Sequence, residues 1–152
     1  MSTAAAVEWA MARSKNLTSE ELRLWHAWLY VGEAVTSRVA RDVAEASGLS
    51  AADFSILASL AERGDGRLRQ RELALALNWD KSRISHQLTR MQERKLLTRS
   101  KTAQDGSQVA ITALGRDALE RARPIHARAV RRHLIERLTP EQIATLLALA
   151  GA

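Results

Sequence analysis

The chain has 152 residues, 46% hydrophobic and 26% charged, enough for one domain with a modest core. It contains no cysteine, which excludes disulfides, thiol redox sensing and Cys-ligated metals within it, and no apolar run nears the roughly 20 residues that span a bilayer. Net charge is +6, and residues 63–101 alone hold eleven basic side chains against four acidic ones, a balance that favours a polyanionic partner.

In chain order, Met1 to Asn16 is Ala-rich, but Glu8 interrupts it and no basic stretch precedes it. That argues against a secretory signal and for a cytoplasmic protein. Residues 1–16 are read as an N-terminal extension with some helical content. Thr18-Ser19-Glu20-Glu21 is a capping box. From it, Leu22, Trp25, Leu29, Val35, Val39 and Val43 recur at near-helical spacing, and Leu24, Trp28 and Val31 form a second stripe. Two apolar stripes on one helix imply two packing partners, one of which can be another subunit. Residues 17–47 are therefore assigned as a dimerisation helix, ended by Gly48.

Residues 48–112 carry denser punctuation. Ser50 to Asp53 caps a helix predicted over Phe54 to Glu62, and Gly64-Asp65-Gly66 ends it. Leu68 lies in a short candidate strand. Gln70 to Leu77 is a compact helix with Leu73, Ala74 and Leu77 inward, followed by a tight turn at Asn78-Trp79. Asp80 then caps a helix predicted over Lys81 to Lys95. Its inward face is Ile84, Leu88 and Met91. Its opposite face shows Ser82, Arg83, Ser85, His86, Thr89 and Arg90, donors and small hydroxyls without an acid. At 1.5 Å per residue such a helix is about 22 Å long, enough to lie in a major groove about 12 Å wide.

Leu96 to Thr102 and Gln108 to Thr112 read as two strands, and Asp105-Gly106 as a two-residue turn between them. A basic hairpin directly after a candidate recognition helix makes a wing. Residues 113–152 are assigned to C-terminal dimerisation helices. In the first, Leu114, Ala118, Ala122, Ile125, Ala129, Leu134 and Leu138 form the apolar stripe, with a kink expected at Pro124. Thr139-Pro140-Glu141-Gln142 opens the second, Ile143 to Leu149, whose apolar character suits burial in a dimer interface.

The fold class is thus mostly α with a small β-hairpin wing: a winged helix-turn-helix flanked by N- and C-terminal dimerisation helices. This order resembles the MarR family of bacterial transcription regulators. Gly48-Leu49-Ser50-Ala51-Ala52-Asp53-Phe54 is similar to that family's loop into its second helix, and Gln70 to Leu77 to its scaffold helix. Asp80-Lys81-Ser82-Arg83-Ile84-Ser85 with Leu88-Thr89-Arg90-Met91 resembles its recognition helix. Glu93 to Arg99 is similar to its lead into the wing, and Ile111 to Gly115 to its way out. The likeness runs from residue 20 to 149. It departs at the wing tip, Gln104 to Gln108, which is about two residues short. No arginine stands between Arg99 and Arg116, which leaves Lys101 or Gln104 for any minor-groove contact. Lys95 occupies a helix end where the family commonly has glycine.

The resemblance implies a sequence-specific DNA-binding regulator, usually a repressor, acting as a homodimer on a palindromic operator with half-sites about 10 base pairs apart. Arg83 and His86 are assigned to base edges, because arginine suits guanine O6 and N7. Lys81, Ser82, Ser85, Thr89 and Arg90 are assigned to phosphates, and Arg99 and Lys101 to the backbone along the wing. The resemblance further implies control by a small aromatic or phenolic effector. Trp25, His26, Trp28 and Tyr30 would supply its walls and polar handle, and Arg63 or Arg67 its carboxylate partner; dimer core is the competing reading of the aromatics. No cofactor or metal is expected. His126 and His133 are seven residues apart, too far for simple shared ligation, and read as solvated or interface side chains. The main alternative is a nucleoid-type nucleic-acid-binding protein with little sequence preference. A protein-interaction module is a further reading. An enzyme is disfavoured, for no phosphate loop, nucleophile-base pair or carboxylate pair stands at useful spacing.

Overall fold

The computed structural model describes residues 16–102 and 106–151. They are mostly helical, with one small antiparallel sheet. The order is α1 (Ser19–Ser47), α2 (Ala51–Arg63), β1 (Arg67–Arg69), α3 (Gln70–Leu77), α4 (Lys81–Glu93), β2 (Leu97–Thr102), β3 (Gly106–Ile111), α5 (Ala113–His133), a 3-10 turn (Ile135–Arg137) and α6 (Pro140–Ala150). Two compact units divide the chain, one through Thr36 and one from Ser37, and α1 runs through the division. Residues 1–15 and 103–105, including Glu8, Gln104 and Asp105, lie outside the described residues.

The first unit is the N-terminal part of α1. Thr18 Oγ1 accepts from the Glu21 amide at 3.2 Å and the Glu21 carboxylate accepts from the Thr18 amide at 2.8 Å, the capping box read from sequence. Of its apolar side chains, Leu22, Leu24, Trp25, Trp28, Leu29, Tyr30 and Val31 are exposed, whereas Val35 is half-buried.

The second unit holds the core. Ser50 caps α2, its hydroxyl accepting from the Asp53 amide, and the helix starts at Ala51, three residues before the expected Phe54. Leu49, Ile56, Leu57, Leu60, Leu73, Ile84, Leu88 and Met91 are almost completely buried together. Such leucines cost about 2–5 kcal/mol each to truncate to alanine. α3 spans Gln70–Leu77 as read from sequence, and Asn78 closes it in the left-handed conformation at φ 52°.

The sheet has the order β1-β3-β2, with β3 central and antiparallel to both neighbours. Leu97 pairs with Ile111 at its base and Thr102 with Gly106 at its far end. Gly106 therefore belongs to β3, and the rest of the expected Asp105-Gly106 turn lies outside the described residues. Burial falls along this hairpin: Leu97, Val109 and Ile111 are buried, whereas Ser100 and Lys101 are exposed.

Thr112 caps α5, its hydroxyl accepting from the Gly115 amide at 3.0 Å and donating to the Lys95 carbonyl at 2.7 Å. The buried face of α5 is Gly115, Ala118, Leu119, Ala122 and Ala129. Leu114, assigned to that stripe from sequence, is 49% exposed. It lies one residue from Gly115, whose missing side chain lets the helix start press against the Leu96 carbonyl. The helix runs through Pro124 and ends at His133, so Leu134 and Leu138 fall outside it.

Two histidines make contacts within the chain. His126 stacks on Phe54 with ring centroids 4.5 Å apart. His133 Nε2 meets the Asp42 carboxylate at 2.8 Å, and this hydrogen bond, with the nearby Arg132 and Arg41 charges, holds Asp42 below the usual carboxylate range. Thr139 and Gln142 form a capping box at the start of α6. Leu147 and Leu149 on that helix remain exposed.

Candidate nucleic-acid interface

α4 is amphipathic because its sequence alternates apolar and polar residues at helical period. Ile84, Leu88 and Met91 are buried, and Asp80 starts the helix by accepting from the Arg83 amide at 2.8 Å. That backbone hydrogen bond, above all, lowers the Asp80 pKa. The helix is two residues shorter than expected: Arg94 leaves it, and Lys95 turns the chain at φ 60°. Lys95 thus takes up the left-handed conformation that glycine adopts without steric cost.

The outward face has the expected composition. Lys81, Ser82, Arg83, His86, Thr89 and Arg90 are exposed, Ser85 is half-buried, and none of them is acidic. At 13 residues the helix is about 20 Å long, still longer than a major groove is wide. Lys101 is exposed on the wing, whereas Arg99 is half-buried. Arg99 donates to Thr89 Oγ1 at 3.3 Å and to Gln70 Oε1 at 3.1 Å, tying β2 to both α4 and α3. A cleft of about 560 Å3 opens beside α4, with Arg69, Arg71 and Lys81 at its rim and Ala74 and Ile84 among its apolar lining.

Three relationships are not among the expectations drawn from the sequence. The Arg83 guanidinium lies over the Trp79 indole, 4.1 Å from the ring centroid. Asp53, 1% exposed, accepts from Gln87 Nε2 at 2.7 Å and from Arg94 Nη1 at 2.7 Å, while Arg94 also donates to the Gly48 carbonyl. Arg69 and Arg71 join Lys81 at one cleft. Only the first had a usable signal, since Trp79 and Arg83 are four residues apart.

The residues assigned to an effector fall in different units. Trp25, His26, Trp28 and Tyr30 are exposed on α1 in the first unit. Arg63 and Arg67 are exposed in the second, on either side of the Gly64-Asp65-Gly66 turn.

Comparison with known proteins gives this surface a context. A MarR family sequence model matches residues 47–106. AbsC, a MarR family transcriptional regulator from Streptomyces coelicolor, is 34% identical, with 90% of this chain and 93% of that one covered and a TM-score of 0.81. Sco3205, a MarR family transcriptional regulator from the same organism solved in complex with DNA, is 29% identical over 90% of this chain and 87% of that one, with a TM-score of 0.84. The organohalide-sensing regulator RdhR-CbdbA1625 in its 2,4-dichlorophenol-bound form shares the fold at 20% identity, covering 92% of this chain and 83% of that one, with a TM-score of 0.76. No match was found among curated proteins. The likeness to AbsC extends over the winged helix and the flanking helices alike, and the chain belongs to the MarR family of transcriptional regulators.

Proposed function

We infer that the protein is a sequence-specific repressor that binds a palindromic operator as a homodimer. The observation that carries this reading is α4 itself: buried on one side, capped by Asp80, and free of acids from Lys81 to Arg90 on the other. Arg83 and His86 read base edges, and Lys81, Ser82, Ser85, Thr89 and Arg90 meet phosphates. Lys101 follows the DNA backbone from the wing. Arg99 does so too, while its bonds to Thr89 and Gln70 hold the wing against the two helices. The DNA complex of Sco3205 supports the choice of partner. Exposed apolar residues on α1 and α6 support self-association, because single chains seldom leave so many leucines and tryptophans in water. A small phenolic or aromatic acid is the effector class, supported by the dichlorophenol-bound relative. Trp25, His26, Trp28 and Tyr30 are its assigned contacts, with Arg63 or Arg67 as the carboxylate partner.

The test is fluorescence anisotropy on the intergenic DNA upstream of the protein's own gene, at near-physiological salt, against a scrambled duplex of equal length. A specific regulator prefers its site by about a thousandfold or more. Arg83→Ala should collapse that preference while leaving the scrambled duplex bound almost as well. Equal binding of both duplexes by the wild type would overturn autoregulation at that site and favour a nucleoid-type role. Sedimentation at the same concentrations gives the dimer directly, and titration with salicylate or dichlorophenol gives effector release.

A further inference from the structure

The guanidinium of Arg83 lies over the indole of Trp79, 4.1 Å from the ring centroid, before any DNA is present. Trp79 is a firm platform. It is half-buried and packed against the core, its amide donates to the Ala74 carbonyl at 2.9 Å, and it follows Asn78, fixed in a left-handed turn. The other end of the pair is equally fixed, since the Arg83 amide is held by Asp80 at 2.8 Å. Both backbones are therefore pinned at the start of α4, and the long arginine side chain is laid along a rigid surface.

Stacking engages the face of the guanidinium and leaves its five in-plane N–H groups outward. Those are the groups that make a bidentate contact to guanine O6 and N7. A free arginine loses side-chain entropy when it docks on a base, whereas one already laid on a ring has lost much of it. We propose that Trp79 is a positioning residue for sequence recognition: its indole face presents the edge of Arg83 to a guanine in the major groove, and so sets specificity at one base pair without touching DNA. The inference rests on the reading of Arg83 as a base-contacting residue.

The experiment is a base-by-base anisotropy scan of an operator selected in vitro from random duplexes, run with full-length wild type, Trp79→Phe, Trp79→Met, Arg83→Ala and the double variant Trp79→Met/Arg83→Ala. Trp79→Met keeps an apolar side chain on the core but removes the ring. It should lower the preference for guanine at the Arg83 position by about fivefold, while leaving scrambled-duplex affinity and salt slope unchanged. Trp79→Phe should restore most of the loss, and Trp79→Met should add nothing in the Arg83→Ala background. An NMR readout is independent of the variants' folding: the Arg83 δ protons should be shifted upfield by the ring in the free wild-type protein and remain so in its DNA complex. Unchanged guanine preference in a folded Trp79→Met, or loss of the ring shift on DNA binding, would overturn the role of Trp79 and leave Arg83 as the reader. If Arg83→Ala alters no base preference, the assignment of Arg83 falls and the role of Trp79 falls with it.

Discussion

Arg94, the residue that follows α4, reaches back to Asp53 at the start of α2 with 2.7 Å between guanidinium nitrogen and carboxylate oxygen. Asp53 is the only charged side chain among the buried ones described, and it also accepts from the Ser50 amide and from Gln87. One carboxylate thus caps α2 and holds both Gln87 of α4 and Arg94 just beyond it. Arg94→Ala should lower stability by about 2 kcal/mol, less than a fully buried pair because the arginine is half in solvent. Asp53→Ala should cost more, since it also removes a cap. Chemical denaturation of both variants and their combination checks this: additive losses would show that the pair is not coupled.

Lys95 turns at φ 60°, a conformation that costs a side-chain-bearing residue roughly 1 kcal/mol. Lys95→Gly removes that strain and gives back part of it as unfolded-chain entropy, so a gain of about 0.5 kcal/mol is expected. Thermal melting measures it, and a lower melting temperature in the glycine variant would refute the account.

Gly115 is the reverse case. A Cβ there would run into the Leu96 carbonyl and press on Ile111. Gly115→Ala should therefore push α5 off the base of the wing and cost about 2–3 kcal/mol, despite alanine's better helix propensity. Hydrogen exchange should show the loss first at the Thr112 amide, which donates to that same carbonyl at 3.2 Å.

Burial lowers the His126 pKa from its ordinary 6.5. The unfolded chain then binds the proton more readily than the folded one. The stabilisation is present above 6.5 and is lost as pH falls below it toward the folded value. Asp42, also lowered, acts in a more acid window: its contribution is present above 3.8 and is lost as pH falls through the folded value. Urea midpoints at pH 7.5 and 5.5 should fall less in His126→Phe, which keeps the stack on Phe54, than in the wild type. Identical pH responses would show that His126 carries none of this dependence.

The caps were legible in the sequence because each is a contact over three residues. Thr18, Ser50, Asp80 and Thr139 all accept from the amide three places on. The buried face of α4 was equally legible from the period of Ile84, Leu88 and Met91. Long-range partners left no such trace. His133 lies 91 residues from Asp42, and Arg94 lies 41 from Asp53. Leu114 was misplaced because periodicity counts apolar residues, whereas the helix uses the smallest one, Gly115, where it must come closest to the backbone of its neighbour.

Burial along the hairpin separates two jobs. Leu97, Val109 and Ile111 weld its base into the core, while Ser100 and Lys101 further out are exposed. Substitutions at Ser100 and Lys101 are therefore nearly neutral for folding. Such positions are free to drift in sequence across generations without the chain ever passing through an unstable ancestor.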